Sequence, residues 1–202
     1  MPQEELDAAL IAAAETGDRA QVQALLAQGA SVHAADARGR TALIAAAYGD
    51  HVEAARLLVA AGADVNRKDN SVQSAYLIPT ADGGLEMLQL MLANGGDVHS
   101  LDSYNGTGLI RAADRGHVAI IQELLKTDIV IDHINRLNWT ALLEAIILGD
   151  GGPRHTEVVR LLVQAGADVN LADGQGVTPL AHALNKGHAE IVAILRAAGA
   201  LE

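Results

Sequence analysis

One spacing runs through this sequence almost from end to end. Asp36, Asp69, Asp102 and Asn135 stand 33 residues apart, and Asp173 follows after 38. Thr41, Ser74, Thr107, Thr140 and Thr178 keep the same steps, as do Leu43, Tyr76, Leu109, Leu142 and Leu180. A repeat of this length is one supersecondary unit that cannot bury its apolar face alone, so the units must stack. The 38-residue step is longer than the others, and Gly149-Asp150-Gly151-Gly152-Pro153-Arg154-His155 is the evident place for an insertion.

Each unit follows one plan. A Gly/Asp-rich turn comes first, and a Thr or Ser then caps a short helix. That helix is rich in Ala, as in Thr41-Ala42-Leu43-Ile44-Ala45-Ala46-Ala47. A short turn leads to a second helix, such as His51 to Ala60, and Gly62-Ala63-Asp64-Val65-Asn66 closes the unit, with glycine supplying a left-handed stop. The chain is half apolar yet has no Phe, one Trp and three Tyr. Ala, Leu, Val and Ile must therefore fill the interior, and Ala and Leu favour helix.

These residues resemble the ankyrin repeat, whose pattern runs Asp-x-x-Gly-x-Thr-Pro-Leu-His, Ala-Ala-x-x-Gly-His, paired Leu, Gly-Ala-Asp-x-Asn. The sixth unit carries it as Asp173, Gly176, Thr178-Pro179-Leu180, Gly187-His188 and Gly199-Ala200; the fourth has Asn105-Gly106-Thr107-Gly108-Leu109, Ala112-Ala113 and Gly116-His117. The second has Gly39, Thr41, Leu43, Ala46-Ala47 and Gly62-Ala63-Asp64-Val65-Asn66. The resemblance covers nearly the whole chain. It implies an all-α ankyrin-repeat solenoid of about six stacked helix-turn-helix units, with short finger loops on a concave side. One domain over 1–202 is expected, with units at approximately 1–35 as an amino-terminal cap, 36–68, 69–101, 102–134, 135–172 with the inserted loop 149–155, and 173–202 as a carboxy-terminal cap.

Departures from the pattern mark where the stack should be least regular. Ile44, Leu77, Ile110, Leu143 and Ala181 replace the signature His, so its hydrogen bond is lost. Pro79 falls inside a first helix and should kink or shorten it. The fourth unit ends Lys126-Thr127-Asp128 without the glycine stop.

The resemblance also implies where a partner would sit, because the family binds through finger tips and the exposed side of the first helices. The expected partner-binding residues are Arg38, Arg40, Tyr48, Tyr104, Arg111, Asp114, Arg115, Arg136, Trp139, Glu144, Asp150 and Arg154. Tyr48, Tyr104 and Trp139 map to this side, and aromatic residues and Arg dominate binding hot spots. The alternative is that each aromatic packs on a neighbouring turn. Tyr76 holds a Leu position and should be core. Glu53, Glu86, Glu157 and Glu190 share a position on the outer face, so beneath the net charge of −11 the finger side is expected to be more balanced or locally basic, suited to an acidic segment of a partner; the alternative is a solvated mixed-charge surface. Ala12, Ala45, Ile78, Arg111, Glu144 and His182 share one helix position. Stacking should bring Arg111 and Glu144 together, as a register-fixing polar ladder or as a ligand contact.

Other functions find little support. The acidity disfavours nucleic acid and anionic lipid, which need displaced counterions. There is no Cys, hence no disulfide, thiolate metal site or thiol nucleophile. No apolar run is long enough to span a membrane, and Met1 to Ala9 does not read as a signal peptide. The eight His do not cluster, and no His-Glu-x-x-His, Gly-x-Ser-x-Gly or calcium loop is present. The Gly-rich insertion precedes a helix, as a phosphate loop does, but lacks the Gly-Lys-Ser/Thr ending; it suits a rim contact or loop decoration. The run from Leu137 to Leu148 into this loop resembles a bacterial subset of the family, some members of which are exported to the periplasm. The expected function is thus a non-catalytic, monomeric module that binds a protein partner, without cofactor or metal. A soluble chain is expected, cytoplasmic or, with a signal peptide removed, periplasmic. Self-association and small-ligand binding near 149–155 are the alternatives.

Overall fold

The computed structural model describes residues 2–201, and these are helical, with isolated antiparallel bridges at two fingers, Ala35 to Thr41 and Lys68 to Ser74. The chain clusters into two compact units, Met1–Asp97 and Val98–Glu202. The first holds α1 (Gln3–Thr16), α2 (Arg19–Ala27), α3 (Ala42–Tyr48), α4 (Val52–Ala60), α5 (Leu77–Asp82) and α6 (Leu85–Ala93). The second holds α7 (Gly108–Arg115), α8 (Val118–Leu124), α9 (Ala141–Ile147), α10 (Pro153–Gln164), α11 (Pro179–Lys186) and α12 (Ala189–Ala197).

Within each unit the odd-numbered helices stack on one another and the even-numbered ones do likewise: α1 on α3 on α5 and α2 on α4 on α6; then α7 on α9 on α11 and α8 on α10 on α12. The repeated Leu position explains the adhesion. Leu10, Leu43, Tyr76, Leu109, Leu142 and Leu180 are all buried to within 1% of fully. Each such side chain contributes about 1.5–3 kcal/mol by leaving water. Tyr76 is core, as its position required. In α3 every residue from Ala42 to Ala47 is buried, so the helix has no polar face to give up; small Ala lets neighbours close in from all sides, and Tyr48 is the first side chain to emerge.

After α1, which follows Pro2 without a side-chain cap, the first helices start on hydroxyl groups. Thr41, Thr107, Thr140 and Thr178 accept from the backbone N–H three residues on, at 3.2 to 3.4 Å, and Ser74 does the same for Leu77 at 3.1 Å. Pro79 shortens α5 to six residues, the least of the twelve helices described. After α8 the hydroxyl of Thr127 donates to Leu124 O at 2.6 Å, satisfying a helix-end carbonyl where glycine is missing.

The insertion is only partly a loop. Pro153, Arg154 and His155 form the first turn of α10, which runs to twelve residues against nine for α2, α4, α6 and α12. The proline sits at the start of the helix, where its missing N–H has no partner to lose. The free connection is therefore 148–152. The histidine position survives this lengthening: His155 Nε2 meets Asp114 O at 2.9 Å, just as His51 Nε2 meets Glu15 O at 3.1 Å. Glycine is needed opposite such rings. Gly151 has φ +70°, and a Cβ there would run into the ring of His188.

Candidate functional site

The finger side chains are set by a simple valence rule. In each finger the Asp or Asn Oδ1 accepts two backbone N–H bonds from the following residues. The donors are Arg38 and Arg40, Ser71 and Gln73, Tyr104 and Gly106, Leu137 and Trp139, and Gln175 and Val177, all at 2.8 to 3.1 Å. That fixes which atom is left over. An Asp leaves Oδ2, which needs a donor; Asn135 leaves Nδ2, which needs an acceptor.

Each leftover atom is matched. Arg40 Nε donates to Asp36 Oδ2 at 2.9 Å, and the Tyr48 hydroxyl to Asp69 Oδ2 at 2.9 Å. Arg111 Nη1 donates to Asp102 Oδ2 at 3.0 Å, and His182 Nε2 meets Asp173 Oδ2 at 2.8 Å. Asn135 reverses the polarity, its Nδ2 donating to Glu144 Oε1 at 2.6 Å. Arg111, Glu144 and His182 each reach the finger residue nine positions earlier in their own repeat. The expected pairing of Arg111 with Glu144 across repeats is not the one formed: Arg111 is held by Asp102, and Glu144 by Asn135.

These bonds divide the carboxyl groups electrostatically. Burial alone would lift the Asp36 carboxyl, but hydrogen bonds from Arg40 and the Arg38 backbone outweigh it and hold it below its ordinary value. Burial is likewise outweighed at Asp69 by Ser71, Gln73 and Tyr48. Glu144 goes the other way. It is 5% exposed, and burial raises it from 4.5 to about 7; the Asn135 bond opposes this, while Asp114 and Asp102 add to it.

Two finger-side cavities collect the expected residues into two groups. In the first unit a cavity of about 480 Å³ is lined by Arg38, Arg40 and Tyr48 together with Asp69, Asn70 and Ser71. Arg40 is committed to Asp36 and to Glu15, at 2.9 and 2.8 Å, whereas the exposed Arg38 contributes only backbone groups, its N–H to Asp36 and its carbonyl to the Asn70 N–H, each at 2.9 Å. In the second unit a cavity of about 200 Å³ is lined by Tyr104, Arg111, Asp114 and Glu144, with Leu137 and Leu148 at its edge. Tyr104 is 62% exposed, and Leu137 and Leu148 about half.

The remaining residues line neither cavity. Arg115 pairs with its neighbour Asp114 at 3.2 Å. Arg136 is exposed and donates its backbone N–H to Tyr104 O at 2.9 Å. Trp139 is half-buried. Asp150 braces the turn before the lengthened helix, accepting from Gly152 N–H at 2.9 Å and meeting His155 Nδ1 at 3.0 Å, while Arg154 lies exposed on the first helical turn. The outer-face glutamates are interleaved with arginine: Arg56 lies between Glu53 and Glu86, and Arg160 between Glu157 and Glu190. Sequence reasoning missed Asp69, Asp102 and Asn135 as binding partners of the helix residues. The signal was available, because the one Asn in the finger column and the one Glu in the helix column occur in the same repeat. Among the described residues no group of three or more His, Asp or Glu could hold a metal ion, and no helix is long and apolar enough to cross a membrane.

Comparison with known proteins agrees with this architecture. Two models described as ankyrin repeats match, one over residues 3–69 and 77–173 and one over 153–196. Over 72 residues, 36% of the chain, it is 46% identical to a putative ankyrin repeat protein, YahD, of Escherichia coli K12, and this match spans only 36% of that relative's length. An ankyrin repeat domain from Acinetobacter baumannii AYE is 45% identical and superposes with a TM-score of 0.92, covering 95% of this chain and 98% of that one. The human ASB11 ankyrin repeat domain is 25% identical with a TM-score of 0.82, covering 95% and 84%.

Proposed function

Because the chain belongs to the ankyrin-repeat family, whose repeats are generally protein–protein interaction modules and typically non-catalytic, we propose that it binds a protein partner through its finger-side surface. The observation that carries this reading is the Arg38–Tyr48 cavity. Its polar walls are already satisfied internally, so the exposed Arg38 guanidinium is the group left to engage a visitor, with Tyr48 beside it. Arg and Tyr in such a setting are the usual anchors of an interface. An acidic side chain of the partner is the natural complement to Arg38. The outer face suits a partner less well, since its glutamates already meet Arg56 and Arg160.

The test is affinity capture from the source cell with three baits: wild type, an Arg38→Glu/Tyr104→Ala variant and an outer-face Arg56→Ala/Arg160→Ala variant. A protein retained by the first and third and weakened at least tenfold by the second is expected. Equal retention by all three would move the interface off the finger side. A size that rises with concentration in the absence of any captured protein would favour self-association instead.

A further inference from the structure

We propose that the smaller cavity, on the second unit, receives a lysine side chain of the partner. This inference rests on the finger-side reading above and adds the chemistry of one occupant. The cavity of about 200 Å³ is smaller than the 300–1,000 Å³ common for small-molecule sites, and it fits one side chain rather than a cofactor. Its floor holds Glu144, more than nine-tenths buried and lining the cavity. Asn135 donates to Oε1 and leaves Oε2 without a hydrogen bond. The leftover oxygen is not sealed in the core but open to the cavity, and a carboxylate oxygen there with no protein donor is a group that a cation improves.

Nothing nearby supplies that cation. Arg111 shares the cavity, but its guanidinium is drawn to Asp102 at 3.0 Å. Arg115 is turned to Asp114 and lies outside the lining. The mouth is apolar, with Tyr104, Leu137 and Leu148 exposed around it. A lysine matches this order of surfaces, since its four-carbon stem lies on apolar groups while its ammonium is a compact point charge. An arginine gains less, because its planar fork can bond only the oxygen that Asn135 leaves and so loses the bidentate geometry that favours it.

The test uses n-butylammonium as the probe, with n-butylguanidinium and n-butanol beside it, read by amide chemical shifts of the intact chain at pH 8. Saturable shifts confined to residues around Tyr104, Gly106 and Leu148 are expected with butylammonium. They should be weaker with butylguanidinium and absent with butanol. Glu144→Gln keeps an acceptor for Asn135 and so preserves the fold; it should weaken the probe at least tenfold, and Asp114→Asn should weaken it less. Equal shifts in Glu144→Gln, equal shifts with butanol, or no localised shift would overturn the proposal. A guanidinium that binds as well as the ammonium would overturn the choice of lysine. The two readings fail separately: a captured partner lost with Arg38→Glu/Tyr104→Ala but held equally by Glu144→Gln would sink the lysine pocket and leave the finger-side interface standing.

Discussion

The two halves of this molecule solve the same local problem in different ways. In both, a finger Asp or Asn must find a partner for the atom that its turn does not use. In the first half the helix position nine residues on is apolar, with Ala45 and Ile78 buried. The partner therefore comes from the finger itself (Arg40) or from the end of a preceding helix (Tyr48). In the second half that helix position is polar in all three repeats, and Arg111, Glu144 and His182 reach back to their own fingers. Where the apolar choice was made, a wide cavity opens beside a free arginine. Where the polar choice was made, a narrow cavity forms around a carboxyl short of a cation. One fold thus carries two cavities of different chemical lining, because such differences lie in residues grafted onto the scaffold.

The largest effect is expected on carrying the second half's chemistry into the first. Ala45→Glu would place a carboxylate where Asp36 already has Arg40 and the helix has no other donor. The expected loss is about 4 kcal/mol in urea unfolding, the scale of an uncompensated buried charge. A loss below about 1 kcal/mol would show that the two halves are interchangeable at this position. Next in size is Asn135→Asp, which sets a carboxylate against Glu144 in place of an amide. About 3 kcal/mol should be lost at pH 8. Adding Glu144→Gln restores a donor–acceptor match and should recover most of it. Strict additivity of the two changes would contradict the pairing.

Stability should also depend on pH in opposite directions at the two kinds of site. Asp36, Asp69 and Asp173 are held below their ordinary value, the last chiefly by the Val177 N–H. Their contribution is present above about pH 4 and is lost as pH falls. Glu144 sits at about 7 in the folded chain against 4.5 in the unfolded one. Between those values the folded chain binds the extra proton, so stability falls as pH rises through the window and levels off above it. The expected fall is about 2 kcal/mol, allowing for screening by water in the cavity. Glu144→Gln should flatten it. The smallest effect is Tyr48→Phe, about 1 kcal/mol for a single hydrogen bond to a charged group, with no change in the second half's hydrogen exchange.

The fold was legible because its signals recur. Capping hydroxyls, buried Leu and terminal glycines return at each step, so an ambiguity in one repeat is resolved by the next. Pro79 and the missing stop near Asp128 were readable as irregularities for the same reason. The lengthened helix was not. Gly-Gly-Pro reads as a loop, yet proline is well tolerated at a first helical position, and Asp150 braces the preceding turn through the Gly152 N–H. The site was legible as a set of residues but not as a set of bonds. Aligning Arg111 with Glu144 in one column suggested that they face each other, whereas a long side chain in that position reaches the finger of its own repeat first. The exchange of Asp for Asn at position 135 encoded that geometry, because of the two only Asn keeps a donor for the glutamate.

The most direct test is a carboxyl-carbon NMR titration of Glu144 from pH 4 to 9, in wild type and in Asn135→Asp. Burial, opposed by the Asn135 hydrogen bond, predicts a midpoint near 7 in wild type, moving higher in the variant as the amide donor is replaced by a second carboxylate. A wild-type midpoint near 4.5, or no movement in the variant, would mean that Glu144 is solvated and unpaired, and both the valence rule and the lysine pocket built on it would fall.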